Sequence, residues 1–235
     1  MKRKFWMVLA GLTVSAGMTW AGTLDQNPAD FPTTVDWCQF GCSGGTFLTP
    51  TNWVSSGADT GEVGLNGTGQ DWYNLQQGST WNGNFSPGMG VVYNGAAYYG
   101  AAGADIVMTF DQAEQGAGAY FQTDYYGNFT ATITLYDGSF LSLGSYVATG
   151  NSNGNNDGSA IFLGAYDATA DVWAIQFDAV GGGDFEPDFG IGEAGLYYPA
   201  ASTPEPASML LIAPALLGLA AFGRKRIMNF RRGNH

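Results

Sequence analysis

Between Gly22 and Thr203 the chain carries 19 acidic side chains and no lysine, arginine or histidine. All eight cationic residues sit at the ends: Lys2, Arg3, Lys4, Arg224, Lys225, Arg226, Arg231 and Arg232. The one histidine is His235. Charge therefore divides the chain into two basic ends and an acidic middle of about 180 residues, enough for one domain with a sizeable core. With 45% hydrophobic residues and 14% aromatics, the chain is too apolar to be disordered.

The missing cations exclude whole classes of function. Nucleic-acid binding needs lysine or arginine to release phosphate counterions. A phosphate clamp would have to do without both. Ser-His-Asp and Cys-His catalysis need a histidine. Two cysteines cannot make an ordinary zinc site. What remains is carboxylate chemistry, calcium binding through oxygen ligands, or no chemistry.

The N-terminus reads as a secretory signal over 1–21. Lys2, Arg3 and Lys4 precede an apolar stretch from Phe5 to about Ala16, and small Ala21 closes the segment. Val14-Ser15-Ala16 offers an earlier cleavage site, and an uncleaved anchor is the alternative. The C-terminus has three parts in order: Thr203-Pro204-Glu205-Pro206-Ala207-Ser208, an apolar run from Met209 to Phe222, and the basic Arg224-Lys225-Arg226. Thr203 and Glu205 each precede a proline, which favours extended backbone, the form a protease grips. The apolar run gives about 21 Å of helix, short of the ~30 Å hydrocarbon core. We expect a transmembrane helix over about 207–223, with the basic stop on the cytoplasmic side and residues 233–235 as a tail. The domain between the basic ends then lies outside the inner membrane.

This three-part order resembles the PEP-CTERM sorting signal of Gram-negative bacteria, over 203–232. The resemblance implies processing by an exosortase, a membrane protease that would recognise Pro204, Glu205 and Pro206. It also implies only transient residence in the inner membrane, then delivery to the cell surface or the extracellular space, in organisms that build exopolysaccharide and biofilm. Pro214 and the residues beyond Arg226 depart from the usual pattern.

The middle, 22–202, reads as all-β. Runs at 105–110, 118–124, 160–166, 172–178 and 189–198 are β-prone. Residues 129–136 alternate, with Phe129, Ala131, Ile133 and Leu135 on one face and Thr130, Thr132, Thr134 and Tyr136 on the other. Asp137-Gly138 marks a hairpin, with the return strand expected over 140–147. Trp173, Ile175 and Phe177 are expected to share a face. Strands of this length argue for an antiparallel sandwich. Residues 22–103 show few periodic runs beyond Val91-Val92-Tyr93, and are expected to give the first strands and long loops. Thr109-Phe110, Tyr136-Asp137-Gly138, Phe162-Leu163-Gly164 and Phe189-Gly190-Ile191 resemble motifs of the β-sandwich ectodomains that precede PEP-CTERM tails. That resemblance implies a jelly-roll-like fold and no assigned activity.

Within this frame the candidate sites are few. Cys38 and Cys42 are expected to form a structural disulfide after export, with a redox pair as the alternative. Asp184, Glu186, Asp188 and Glu193 are the densest carboxylates; the first three are the candidate calcium ligands. Calcium would relieve the self-repulsion of the acidic domain, and no other cofactor is required. Asn153, Asn155, Asn156 and Asp157 form a second candidate loop, without an EF-hand pattern. Trp53, Trp72, Trp81, Tyr98 and Tyr99 are candidates for stacking on sugar rings, against the alternative that large aromatics fill the core. The Thr130-Thr132-Thr134 row is expected to be a plain solvent face, although such rows bind ice when repeated over many strands. The leading expectation is a non-enzymatic surface or matrix protein associated with extracellular polysaccharide. A carbohydrate-binding module is the alternative, and a carboxylate-driven glycosidase a distant third.

Overall fold

The computed structural model describes residues 22–42, 45–66, 71–95, 104–169, 171–181 and 188–198. The signal segment, the sorting tail, Tyr98, Tyr99, Asp184 and Glu186 lie outside the described residues. Among the described residues no helix is long and apolar enough to cross a membrane.

Fourteen strands are described: β1 (Thr23–Asp25), β2 (Thr33–Val35), β3 (Thr46–Phe47), β4 (Thr51–Val54), β5 (Thr60–Asn66), β6 (Asp71–Gln76), β7 (Gly90–Gly95), β8 (Asp105–Glu114), β9 (Gly116–Thr123), β10 (Gly127–Tyr136), β11 (Ser142–Ser152), β12 (Ile161–Tyr166), β13 (Val172–Gly181) and β14 (Phe189–Leu196). The only helical elements described are two short 3-10 turns, Pro28–Asp30 and Trp37–Phe40. Every ladder between these strands is antiparallel.

The strands form two sheets. One has eight strands in the order β1-β12-β9-β14-β7-β6-β3, with β2 on β14; the other has six in the order β11-β10-β13-β8-β5-β4. Their inner faces share one core, in which Trp37, Val92, Phe121, Leu163 and Ile191 of the first layer meet Trp53, Met108, Ile133, Ile175 and Phe177 of the second. Phe121 and Phe177 touch across the layers at 5.8 Å between ring centres. With no cation in the domain, the core is held by apolar burial and backbone pairing, not by ion pairs.

The two outer faces differ, and the difference places the site. The eight-stranded sheet is covered on its outside. β9 and β14 are buried at almost every position, because loops pack on the face away from the core. A Cβ on Gly164 would lie 2.3 Å from Phe31, and one on Gly192 would lie 2.4 Å from Met89. Trp81, Phe85, Val91 and Ala160 make a second apolar cluster there. Among the described residues the six-stranded sheet has no such cover. β10 alternates buried and half-exposed residues from Phe129 to Tyr136. That is the pattern of an antiparallel sheet with one face in solvent.

Two expectations fail here for local reasons. Trp173 does not share a face with Ile175 and Phe177: it is 39% exposed, while both partners are fully buried. A register shift between Val172 and Ala174 turns it outward, as a β-bulge does. Phe140 does not begin the return strand. It sits in the hairpin turn with φ of +59°, and β11 starts at Ser142.

Candidate ligand-binding groove

The exposed face of the six-stranded sheet carries a groove of about 370 Å³. Its floor is Gly64, Val107, Thr109 and Gln176, and its walls include Pro50, Leu65, Tyr136 and Phe140. Glu62 and Asn66 stand at its β5 side. This volume falls within the range of small-ligand clefts, roughly 300–1,000 Å³.

The polar groups of the floor are fixed by one another. The Tyr136 hydroxyl donates to Gln176 Oε1 at 2.8 Å, and Gln176 Nε2 donates to Asp105 Oδ2 at 2.5 Å. Three strands thus contribute to one relay, and the relay sets which end of the Gln176 amide donates. Burial, and then the nearby Asp178, push the Asp105 carboxyl up to about 6.

The aromatic wall is also built in advance. Asp137 closes the β10–β11 hairpin, accepting the backbone N–H of Ser139 at 2.8 Å and of Leu141 at 2.9 Å through Oδ1. The Phe140 N–H donates to the Asp137 carbonyl at 2.9 Å. These bonds hold Phe140 in the left-handed region, a conformation that costs a bulky residue about 1 kcal/mol or more. The result is a Phe140 side chain left 65% exposed beside the groove. Leu141 is 67% exposed, and Trp173 packs against the same hairpin at Gly138.

At the other end of β10 a second depression of about 660 Å³ opens at the rim of the sheet, where Thr130, Thr149 and Val180 meet Phe129, Gly150 and, from β12 of the other sheet, Ile161. The threonine row runs between the two depressions. Thr134 shares a hydrogen bond with Ser145 of β11 at 2.8 Å.

The sequence-predicted residues are placed differently. Trp53, Trp72 and Trp81 are 0%, 3% and 6% exposed, so these candidates for sugar stacking follow the alternative and fill the interior. Trp53 meets Phe110 edge to face at 5.8 Å within the core, and Trp81 packs at 5.1 Å from Tyr93. Their indoles cover the glycine-rich sheets instead of projecting from them. Cys38 and Cys42 are joined, with S–S of 2.10 Å, across the short turn Trp37–Phe40.

Of the carboxylates singled out near 184–193, the two that are described, Asp188 and Glu193, do not converge. Glu193 is raised by burial and then by Asp36, whereas Asp188 meets Tyr93 and Asp124. The Tyr93 hydroxyl lies 3.2 Å from Asp188 Oδ2 and 3.4 Å from Asp124 Oδ2. Burial and the two carboxylates push this phenol far above its ordinary range, and burial raises Asp124. Among the described residues no three His, Cys, Asp or Glu form a metal-sized group. In the second candidate loop two side-chain oxygens close turns and a third accepts from a residue far along the chain. Asn153 accepts from the N–H of Asn155, Asp157 from that of Ser159, and Asn156 from Gln77 Nε2.

Two raised carboxyls set a pH dependence. Glu114 is pushed up to about 7 by burial and by Asp59, which itself accepts the Tyr198 hydroxyl at 3.1 Å. A folded-state carboxyl above its unfolded value binds its proton more tightly when folded. Its contribution is full below the unfolded pKa and is lost as pH rises through the folded value. With Asp105 near 6 and Glu114 near 7, the melting temperature should climb as pH falls from 8 towards about 4.5. Scanning calorimetry across that window checks it; a melting temperature that rises with pH contradicts it.

No family model matches this chain, and no curated protein matches it. Among solved structures it is similar to the crystal structure of a DUF4465 family protein from Bacteroides caccae. The two are 14% identical with a TM-score of 0.37, over 65% of this chain and 87% of that one.

Proposed function

We propose that this chain is an exported, non-enzymatic surface or matrix protein whose domain is a jelly-roll-like sandwich associated with extracellular polysaccharide. The observation that carries the reading is the open groove, which combines aromatic walls with fixed amide, hydroxyl and carboxylate groups on a rigid sheet face. Sugar rings present apolar C–H faces and a rim of hydroxyls, so they need this mixture. The PEP-CTERM-like tail at Pro204-Glu205-Pro206 supports delivery to the surface by an exosortase-type protease.

A binding role also fits the spacing of the carboxylates. Glu62 pairs with Thr109 in the β5–β8 register and Asn66 with Asp105, so Glu62 and Asp105 stand four residues apart. That is about 13 Å along a strand. Two-carboxylate glycosidases use about 5–9.5 Å. Asp105 is moreover tied to Gln176. The test is co-fractionation. The protein should sediment with the extracellular polysaccharide of its host and be released when the polysaccharide is digested. Recovery of all the protein free of polysaccharide would contradict the association. Release of reducing ends by the purified protein, lost in Asp105→Asn, would turn the reading to a glycosidase.

Calcium remains part of the proposal through Asp184, Glu186 and Asp188, with Asp124 beside Asp188. Excess chelator should lower the melting temperature of the full chain at pH 7.5, and Asp188→Asn should remove that difference. An unchanged melting temperature sinks the calcium reading.

A further inference from the structure

We infer that the exposed face of the six-stranded sheet is a track for an extended, uncharged polysaccharide chain, lying along β10 with Phe140 and Tyr136 as its stacking platform. This rests on the polysaccharide association proposed above and specifies both the place and the chemical class of the ligand.

Three observations lead there. First, there are two depressions at opposite ends of the same strand: the groove on the face itself, and a second one where the face ends at the sheet rim and Ile161 of the other sheet is reached. Tyr136 lines the first and Thr130 the second. Six residues of strand separate them, about 20 Å. A single small ligand would use one depression, whereas a polymer can occupy both. Second, the strip between them has the chemistry of a pyranose chain. Thr132 pairs with Val147 on one side and Asp178 on the other. Val147 and Val180 are 58% and 50% exposed, so apolar contact surface alternates with hydroxyls along the strip. At its end, the Asp137 hydrogen bonds fix the Phe140 turn before any ligand arrives. A wall fixed in advance loses little entropy on binding.

Third, charge selects the ligand class. Glu62 lines the groove, Asp105 holds its floor through Gln176, and Asp178 flanks the threonine row. No cationic side chain exists anywhere in 22–203 to offset them. A uronate or sulfated polymer would be repelled at short range, where screening by salt is incomplete. An uncharged glycan meets no such barrier, and its hydroxyls can donate to these oxygens.

The experiment uses the full-length chain, purified in mild detergent, in affinity electrophoresis. The probes are a neutral β-glucan, a neutral α-glucan, alginate as the uronate polymer, and the host's own extracellular polysaccharide. At least one neutral polymer should retard the protein, equally at low salt and at about 0.5 M salt. Alginate should not. Phe140→Ala should weaken binding by about tenfold or more. Thr132→Glu, which places a charge midway along the track, should abolish it. Both positions are at least partly exposed, so the fold should survive either change. Alginate binding as tight as neutral glucan, or binding that collapses in salt, overturns the inference. If the host polysaccharide binds and both variants bind like the parent, the track is wrong and the association stands. If no polysaccharide binds at all, both fall.

Discussion

Trp37→Ala should destabilise the domain by about 3–5 kcal/mol and lower its melting temperature by roughly 10 °C. Trp37 is fully buried in the short turn that also carries the disulfide. Its indole fills the space between the layers and does a second job. β14 carries a register shift between Ile191 and Ala194. At that point β14 stops pairing with β7 and begins pairing with β2. Trp37 Nε1 donates to the Gly192 carbonyl there, at 2.7 Å. Alanine therefore opens a cavity and removes the partner of a buried carbonyl. Trp173→Ala is the contrast. That side chain is 39% exposed, and its loss should cost less than about 1 kcal/mol. Urea titration of both variants checks the pair. Equal effects would mean that burial does not distinguish these two indoles.

Gln122→Leu should cost about as much, through hydrogen bonds and not volume. Gln122 is fully buried on β9. Its Oε1 accepts from Trp81 Nε1 at 3.1 Å and from the Asn84 N–H at 2.8 Å, and its Nε2 donates to the Asn153 carbonyl at 3.2 Å. One amide thus ties two surface loops to the outside of the eight-stranded sheet. Leucine keeps the volume and leaves two donors and an acceptor unpaired, at about 1–3 kcal/mol each before relaxation. The expected total is roughly 3–5 kcal/mol, with amide exchange faster in 77–89 and 151–159 than elsewhere. A stability change under about 1 kcal/mol would show that water replaces the lost partners and that the network is not structural.

These two residues also show where the sequence is silent. Strand β10 was readable because its two faces meet different solvents, core and water, and that produces alternation over 129–136. β7 was readable only as Val91-Val92-Tyr93. It is buried on both faces for most of its length, so its pattern has no period. Much of the rest of 22–103 forms strands of two to four residues, β1 to β4, too short for any period to register. Gln122 looks like any polar residue in a strand, since its partners stand 31 to 41 residues away.

The candidate site was hidden for the same reason. Its residues come from β5, β8, β10, β13, a hairpin turn and Pro50 just before β4, and the pairing of those strands assembles most of them. Tyr136-Asp137-Gly138 was legible as a turn, but the left-handed Phe140 that the turn presents was not. Tryptophan drew attention as the natural sugar platform, yet this glycine-rich sandwich uses its largest rings as filling. A Cβ on Gly61 would lie 2.8 Å from the Trp53 ring, which shows how closely an indole lies over the sheet.

The central claim is delivery of this acidic domain to the cell surface, where a polysaccharide is within reach. Intact mass of the mature protein in its native host, taken with its cell fraction, tests that claim most directly. The account predicts a chain that begins near Gly22, ends between Thr203 and Pro206, and is recovered outside the inner membrane. A mass that still includes Arg232, recovered in the inner-membrane fraction, would contradict it and leave the tail as an ordinary anchor.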